Sequence, residues 1–82
     1  MKNRIIDVFA SILQASPEEI HDGLSPEQVE KWDSFHHLFL VAGFEEEFGI
    51  EIEPEEIVEM YKDFRSFRRI IEKKVNGTMQ ES

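Results

Sequence analysis

The stretch Trp32-Asp33-Ser34-Phe35-His36-His37-Leu38-Phe39-Leu40-Val41-Ala42-Gly43-Phe44-Glu45-Glu46-Glu47-Phe48-Gly49-Ile50 carries both ends of one helix. Asp33 is a natural N-cap, because its short carboxylate can accept the amide hydrogens that a first helical turn leaves without carbonyl partners. Gly49 is the matching C-cap, since the residue after a helix commonly takes a left-handed conformation that glycine adopts without strain. The spacing therefore predicts a helix over residues 34–48. Phe35, Leu38, Phe39, Ala42 and Phe48 fall on one broad stripe, and Leu40, Val41 and Phe44 extend the apolar surface beyond a single face. Ser34 stands in the first turn, directly behind Asp33. It has no base, oxyanion hole or pocket of its own in view, so it is placed to be acted upon by another protein.

Working outward, Ile5, Ile6, Phe9, Ile12 and Leu13 recur at helical spacing and predict a first helix over about residues 2–15. Ser16-Pro17-Glu18-Glu19 has a capping serine, a proline at the first helical position and a glutamate three residues on, which reads as a short turn burying Ile20. Ser25-Pro26-Glu27-Gln28 repeats the device ahead of Val29. The connection over residues 16–33 is long for a helical domain, and loops of that length usually carry function or wrap a core. Beyond Gly49, Ile50-Glu51-Ile52-Glu53 alternates but has no partner strand, and reads as an extended loop that tucks in Ile52. Pro54 opens a short third helix with Ile57, Val58, Met60 and Tyr61 on its apolar side. Asp63 caps a last helix over about 64–75, with Phe64, Phe67, Ile70, Ile71 and Val75 inward and Asn76-Gly77 as its stop. The expectation is an all-α, small four-helix bundle: one domain over residues 1–76 and a flexible tail over 77–82.

With 82 residues, a single small core is expected, too small for a deep enclosed active site. There is no cysteine, which excludes disulfides, zinc-thiolate sites and cysteine nucleophiles. Neither a membrane-spanning run nor a signal-peptide pattern is visible, so a cytoplasmic protein is the expectation. The net charge of -9 argues against nucleic acid and anionic membranes and favours basic partner surfaces. From Trp32 to Tyr61 there is no Lys or Arg, while Asp33, Glu45, Glu46, Glu47, Glu51, Glu53, Glu55, Glu56 and Glu59 lie within that span. A solvated face normally mixes signs, so a one-sign surface beside the serine reads as a docking face.

Asp33-Ser34 at a helix start, Glu45-Glu46-Glu47-Phe48-Gly49-Ile50 at its end, then Ile52 and Pro54-Glu55-Glu56, resemble the acyl carrier protein family over roughly residues 3–75. Ser16-Pro17-Glu18-Glu19-Ile20 and Trp32-Asp33-Ser34 resemble discrete carriers of a specialised pathway more than the housekeeping fatty-acid carrier. The resemblance implies a non-catalytic monomer whose Ser34 receives a 4'-phosphopantetheine arm from coenzyme A, added by a phosphopantetheinyl transferase. The arm's thiol then carries an acyl or aminoacyl group as a thioester for fatty-acid, polyketide or related biosynthesis. Implied partners are that transferase, a loading ligase or transferase, and synthase enzymes with basic docking surfaces. Asp33, Glu45, Glu46, Glu55 and Glu56 stand at the family's docking positions. Independently, a phosphodiester on Ser34 would lie at the positive end of a helix.

Phe35 stands where the family usually has Leu, His36 and His37 where an acid or small polar residue is usual, and Phe39 where an acid is common. The start of the recognition helix is thus more aromatic than usual, which implies a dedicated partner set docking through Phe35, His36, His37 and Phe39. Phe44, Phe64 and Phe67 are bulky enough to fill the slot in which fatty-acid carriers shelter their cargo, which favours a short or polar cargo. Gly43 could instead open space there, or let two helices approach.

Other readings are weaker. Adjacent histidines on a helix point about 100° apart and chelate one ion poorly. The Ser34–His37 spacing is helical, but no third acid orients it. Both histidines therefore read as surface or docking residues. Glu45-Glu46-Glu47 lacks the loop spacing of a calcium site. Trp32 reads as a staple packing against the loop where the chain enters the helix. The alternative to a carrier is an acidic interaction module with Ser34 unmodified, and a small serine enzyme is remote.

Overall fold

The structure, a computed structural model, describes residues 4–81 of the chain, with the backbone alone over 78–81. It is all-helical: α1 (Arg4–Leu13), α2 (Ser34–Phe48), α3 (Pro54–Met60) and α4 (Phe64–Glu81), with a 3-10 turn at Pro17–Glu19 in the long connection. No strand occurs among the described residues. α1 packs on α2, and α3 on α4. Residues 2 and 3 of the expected first helix lie outside the described residues.

The core is built on aromatic rings. Phe9 meets Trp32, Phe64 and Phe67 edge-on, with centroid separations of 5.0, 4.9 and 5.0 Å. Phe44 meets Phe67 at 4.9 Å. Leu13, Leu40, Met60 and Ile71 complete the fully buried set. Phe44, Phe64 and Phe67 are each at most 1% exposed, so rings occupy the space between α2 and α4.

α1 ends without glycine. Gln14 takes φ 58°, and the next amide, Ala15 N–H, reaches back to the Ala10 carbonyl at 2.8 Å. Where α1 crosses α2, a Cβ on Gly43 would stand 2.7 Å from Ile12 Cδ1, so glycine here permits close helix approach.

The connection closes on α4. The Leu24 carbonyl accepts the Phe64 N–H at 2.7 Å and the Asp22 carbonyl accepts the Arg65 N–H at 3.2 Å. The Arg68 guanidinium spans both Asp22 carboxylate oxygens, at 3.1 and 2.9 Å. Asp63 takes the next amide of that turn, Ser66 N–H, at 2.8 Å. Ser16 does not cap with its side chain; its carbonyl accepts from Glu19 N–H at 2.9 Å. Gln28 does reach back to the Ser25 N–H, at 3.2 Å. Ile20 is buried as expected, whereas Leu24 and Trp32, rather than Val29, are the buried residues of the second half.

Three expectations are corrected. The buried face of α2 is His37, Leu40, Val41 and Phe44, while Phe35, Leu38 and Phe39 are exposed and Ala42 faces out with them. Residues 37, 40, 41 and 44 form their own i, i+3, i+4, i+7 stripe, and it wins because His37 finds hydrogen-bond partners inside. Val58 is 75% exposed, so α3 buries Met60 and half-buries Ile57 and Tyr61. Ile52 is tucked in as expected, with Ile50 buried beside it. Finally, Asn76-Gly77 does not stop α4, which continues to Glu81, so the expected tail is helical backbone to that point. A helix interior tolerates glycine at a cost of about 1 kcal/mol.

Candidate functional site

Ser34 is the first residue of the 15-residue α2, and it is exposed. The preceding Asp33 is extended at φ -102° and ψ 179°, which turns its side chain back over the helix end. There it accepts the His36 N–H at 2.8 Å and contacts His36 Nδ1 at 2.9 Å. The His36 backbone N–H, then the His36 ring, holds the exposed Asp33 carboxyl below its ordinary 3.8. The other first-turn amides have no intrahelical carbonyl, so a positive helix end surrounds the Ser34 hydroxyl.

One flank of Ser34 is apolar. Ser34, Phe35, His37, Leu38, Ile57, Val58 and Tyr61 line an open groove of about 400 Å³ between α2 and α3. Phe35, Leu38, Phe39 and Val58 are 65%, 57%, 52% and 75% exposed and form a hydrophobic surface around it. Phe35 and Phe39 brace each other edge-on at 5.1 Å, with the His36 ring against both.

His37, expected at the surface, is 3% exposed. Its Nδ1 lies 3.0 Å from the Trp32 indole nitrogen and its Nε2 lies 2.8 Å from the Ile57 carbonyl oxygen. With both nitrogens engaged in the core, the Ser34–His37 spacing does not form a nucleophile–base pair. The 37/40/41/44 spacing is the sequence hint of this burial, but it competes with the equally spaced apolar stripe at 35, 38, 39 and 42 and does not decide between them.

The acidic residues divide. Glu45 accepts the Ile52 N–H at 2.9 Å and thereby fastens the loop after α2. Glu56 accepts the Glu53 N–H at 2.8 Å in a capping box and pairs with Lys74 at 2.9 Å. Glu47 pairs with Arg4, which also lies over the Phe48 ring at 5.3 Å. Glu46 and Glu55 are exposed. Glu45 is eleven positions from Ser34, about 17 Å along the helix at 1.5 Å per residue. The acids at the end of α2 are thus remote from Ser34, and its immediate neighbourhood is hydrophobic rather than uniformly acidic.

Among the described residues no cluster of three or more His, Cys, Asp or Glu side chains could hold a metal ion. Among the same residues no helix is long and apolar enough to cross a membrane. No protein-family model matches the chain, and no curated protein matches its sequence.

Proposed function

We propose that this chain is an acyl carrier protein, bearing a 4'-phosphopantetheine arm on Ser34. The observation that carries the reading is an exposed serine as the first residue of a 15-residue helix, capped by Asp33 and flanked by an apolar groove. The residues present fit such a group. Ser34 supplies the hydroxyl, the open first turn favours the negative charge of a phosphodiester, and the groove offers an apolar bed for the arm beyond the phosphate. When attached, the arm supplies a thiol for thioester chemistry, which a chain without cysteine does not have.

The arrangement supports a carrier that is not itself an enzyme. His37, the base at helical spacing from Ser34, has both ring nitrogens committed to Trp32 and Ile57. The exposed Phe35, Leu38, Phe39 and Val58, with Glu55 nearby in sequence on α3, are the surface that modifying and loading enzymes would contact. Filling of the α2–α4 space by aromatic rings supports a cargo that is short and held outside the core. The same hydrophobic surface would serve the second reading, an interaction module with Ser34 unmodified.

The test is intact mass with peptide mapping after incubation with coenzyme A, magnesium and a broad-specificity phosphopantetheinyl transferase. Addition of one phosphopantetheinyl group at Ser34, absent from Ser34→Ala, is the expected result. Folded protein left unmodified by several active transferases would transfer support to the interaction module.

A further inference from the structure

The least expected polar contact in the molecule lies beneath the groove beside Ser34. A backbone carbonyl can only accept a hydrogen bond and an indole N–H can only donate one. His37 is therefore the neutral Nε2–H tautomer: Nδ1 accepts from Trp32 at 3.0 Å, and Nε2–H donates to Ile57 at 2.8 Å. The Ile57 carbonyl needs this donor. It belongs to the last turn of α3, where carbonyls lack intrahelical partners, and the Tyr61 N–H goes to Val58 at 3.1 Å instead. One side chain of α2 thus caps the C-terminal turn of α3 while holding the residue just ahead of the Asp33 cap. His37, Ile57 and Tyr61 are also walls of the groove.

We propose that His37 is a positioning residue for the modification of Ser34: its neutral imidazole pins α3 to the start of α2 and sets the groove, and a proton taken up on Nδ1 releases the pin. The proposal rests on the carrier reading for its enzymatic consequence, though not for the pin itself.

Protonation leaves Nε2–H able to donate to Ile57 but sets an Nδ1–H against the indole N–H, two donors facing each other in a buried site. The ring relieves the clash by leaving the site and takes the Ile57 bond with it. Protonation in place would also bury a cation without a counter-ion. Around the ring stand Trp32 from the connection, the Ile57 carbonyl and the Tyr61 ring (centroids 4.8 Å apart) from α3, and Phe67 (6.0 Å) from α4. Tyr61 is the one titratable side chain among these ring contacts. On its own helix end, the Asp33 carboxylate is bonded to His36. Burial pushes the His37 imidazolium below its usual 6.5, and only the Ile57 carbonyl opposes it. The pin is therefore closed at neutral pH and opens on acidification.

The experiment uses the full chain, ¹⁵N-labelled, from pH 8 to pH 4. The imidazole shifts should report the Nε2–H tautomer at neutral pH. His37 should take up its proton below pH 6.5, and the Trp32 fluorescence and the Ile57 and Val58 amide shifts should move at that same midpoint. Trp32→Phe removes the opposing donor and should raise the midpoint. His37→Gln keeps an amide N–H for Ile57 and cannot be protonated in this range, so it should hold the α3 amide shifts constant. The transferase rate on wild type is then divided by the rate on His37→Gln at each pH, which cancels the transferase's own profile. One pH unit below the midpoint only about a tenth of the molecules keep the neutral ring, so that ratio should fall about tenfold.

An Nδ1–H tautomer, or titration of His37 without movement of Trp32 and the α3 amides, overturns the pin. A flat rate ratio across the midpoint overturns the positioning role. Wild type left unmodified at every pH by active transferases overturns the carrier reading and the positioning role with it, and the imidazole shifts still decide the pin.

Discussion

Phe9 touches three other aromatic residues edge-on and is fully buried, so its loss leaves a ring-sized void at the centre of the core. Truncating a buried Phe costs about 3–5 kcal/mol. A domain of this size is stable by about 5–15 kcal/mol and sits near the low end of that range. Phe9→Ala should therefore keep only about 0–2 kcal/mol, with its urea midpoint close to zero denaturant and a visible unfolded fraction in buffer by circular dichroism. A subtler residue effect concerns docking. Because Glu45 accepts the Ile52 N–H, Glu45→Lys should cost about 1–2 kcal/mol of stability as well as any docking energy. Glu46→Lys and Glu55→Lys should leave the thermal midpoint nearly unchanged, and slow transferase association at low salt if that surface is used. Asp33 as cap and Ser34 as an exposed first-turn residue are readable in the chain, since both follow from local hydrogen-bonding rules. His37 is not, because a histidine counts as polar until its two partners, Trp32 and Ile57, are known, and one of them lies twenty residues away.

At the scale of elements, α2 has the bounds its sequence implies because both ends are specified by side chains: Asp33 in front and Gly49 at φ 65° behind. α1 ends in the same left-handed geometry at Gln14, φ 58°, with no glycine to signal it. These two positions make opposite predictions. A non-glycine residue in that conformation costs about 1–2 kcal/mol, partly offset by the greater freedom of glycine in the unfolded chain. Gln14→Gly should stabilise by about 0.5 kcal/mol, and Gly49→Ala should destabilise by about 1 kcal/mol, both read from urea midpoints at unchanged slope. Which face of α2 turns inward was not legible, because apolar residues occupy nearly its whole circumference. Periodicity discriminates only when one side is polar. The end of α4 is hidden for a different reason: Asn-Gly ends a helix when something downstream rewards a turn, and here the backbone continues to Glu81.

For the molecule as a whole, acid should act in two stages. His37, with its folded value lowered, adds stability that is complete above its usual 6.5 and is lost as pH falls from there. The carboxyl of Asp63 is held below 3.8 first by the Ser66 N–H, and Glu56 below 4.5, where burial pushes it up but the Glu53 N–H and Lys74 outweigh that. Their stability is present above those values and is lost below them. Thermal midpoints should thus be level above neutrality, slope down below pH 6.5, and slope again below pH 4.5; His37→Gln should erase the first slope alone. The four-helix plan and the long connection were legible because capping residues and periodicity recur along the chain. The way the connection is fastened was not, since backbone carbonyls carry no sequence signature. That fastening sets a clock. The amide protons of Phe64 and Arg65 are held by the carbonyls of Leu24 and Asp22, so they can exchange with deuterium only when the connection lifts from α4. If their opening free energies, each referred to its own intrinsic exchange rate, match those of the Leu40 and Phe44 amides in the core, the connection and the aromatic core open as one cooperative unit; if they are smaller, the connection breathes while the core stays shut.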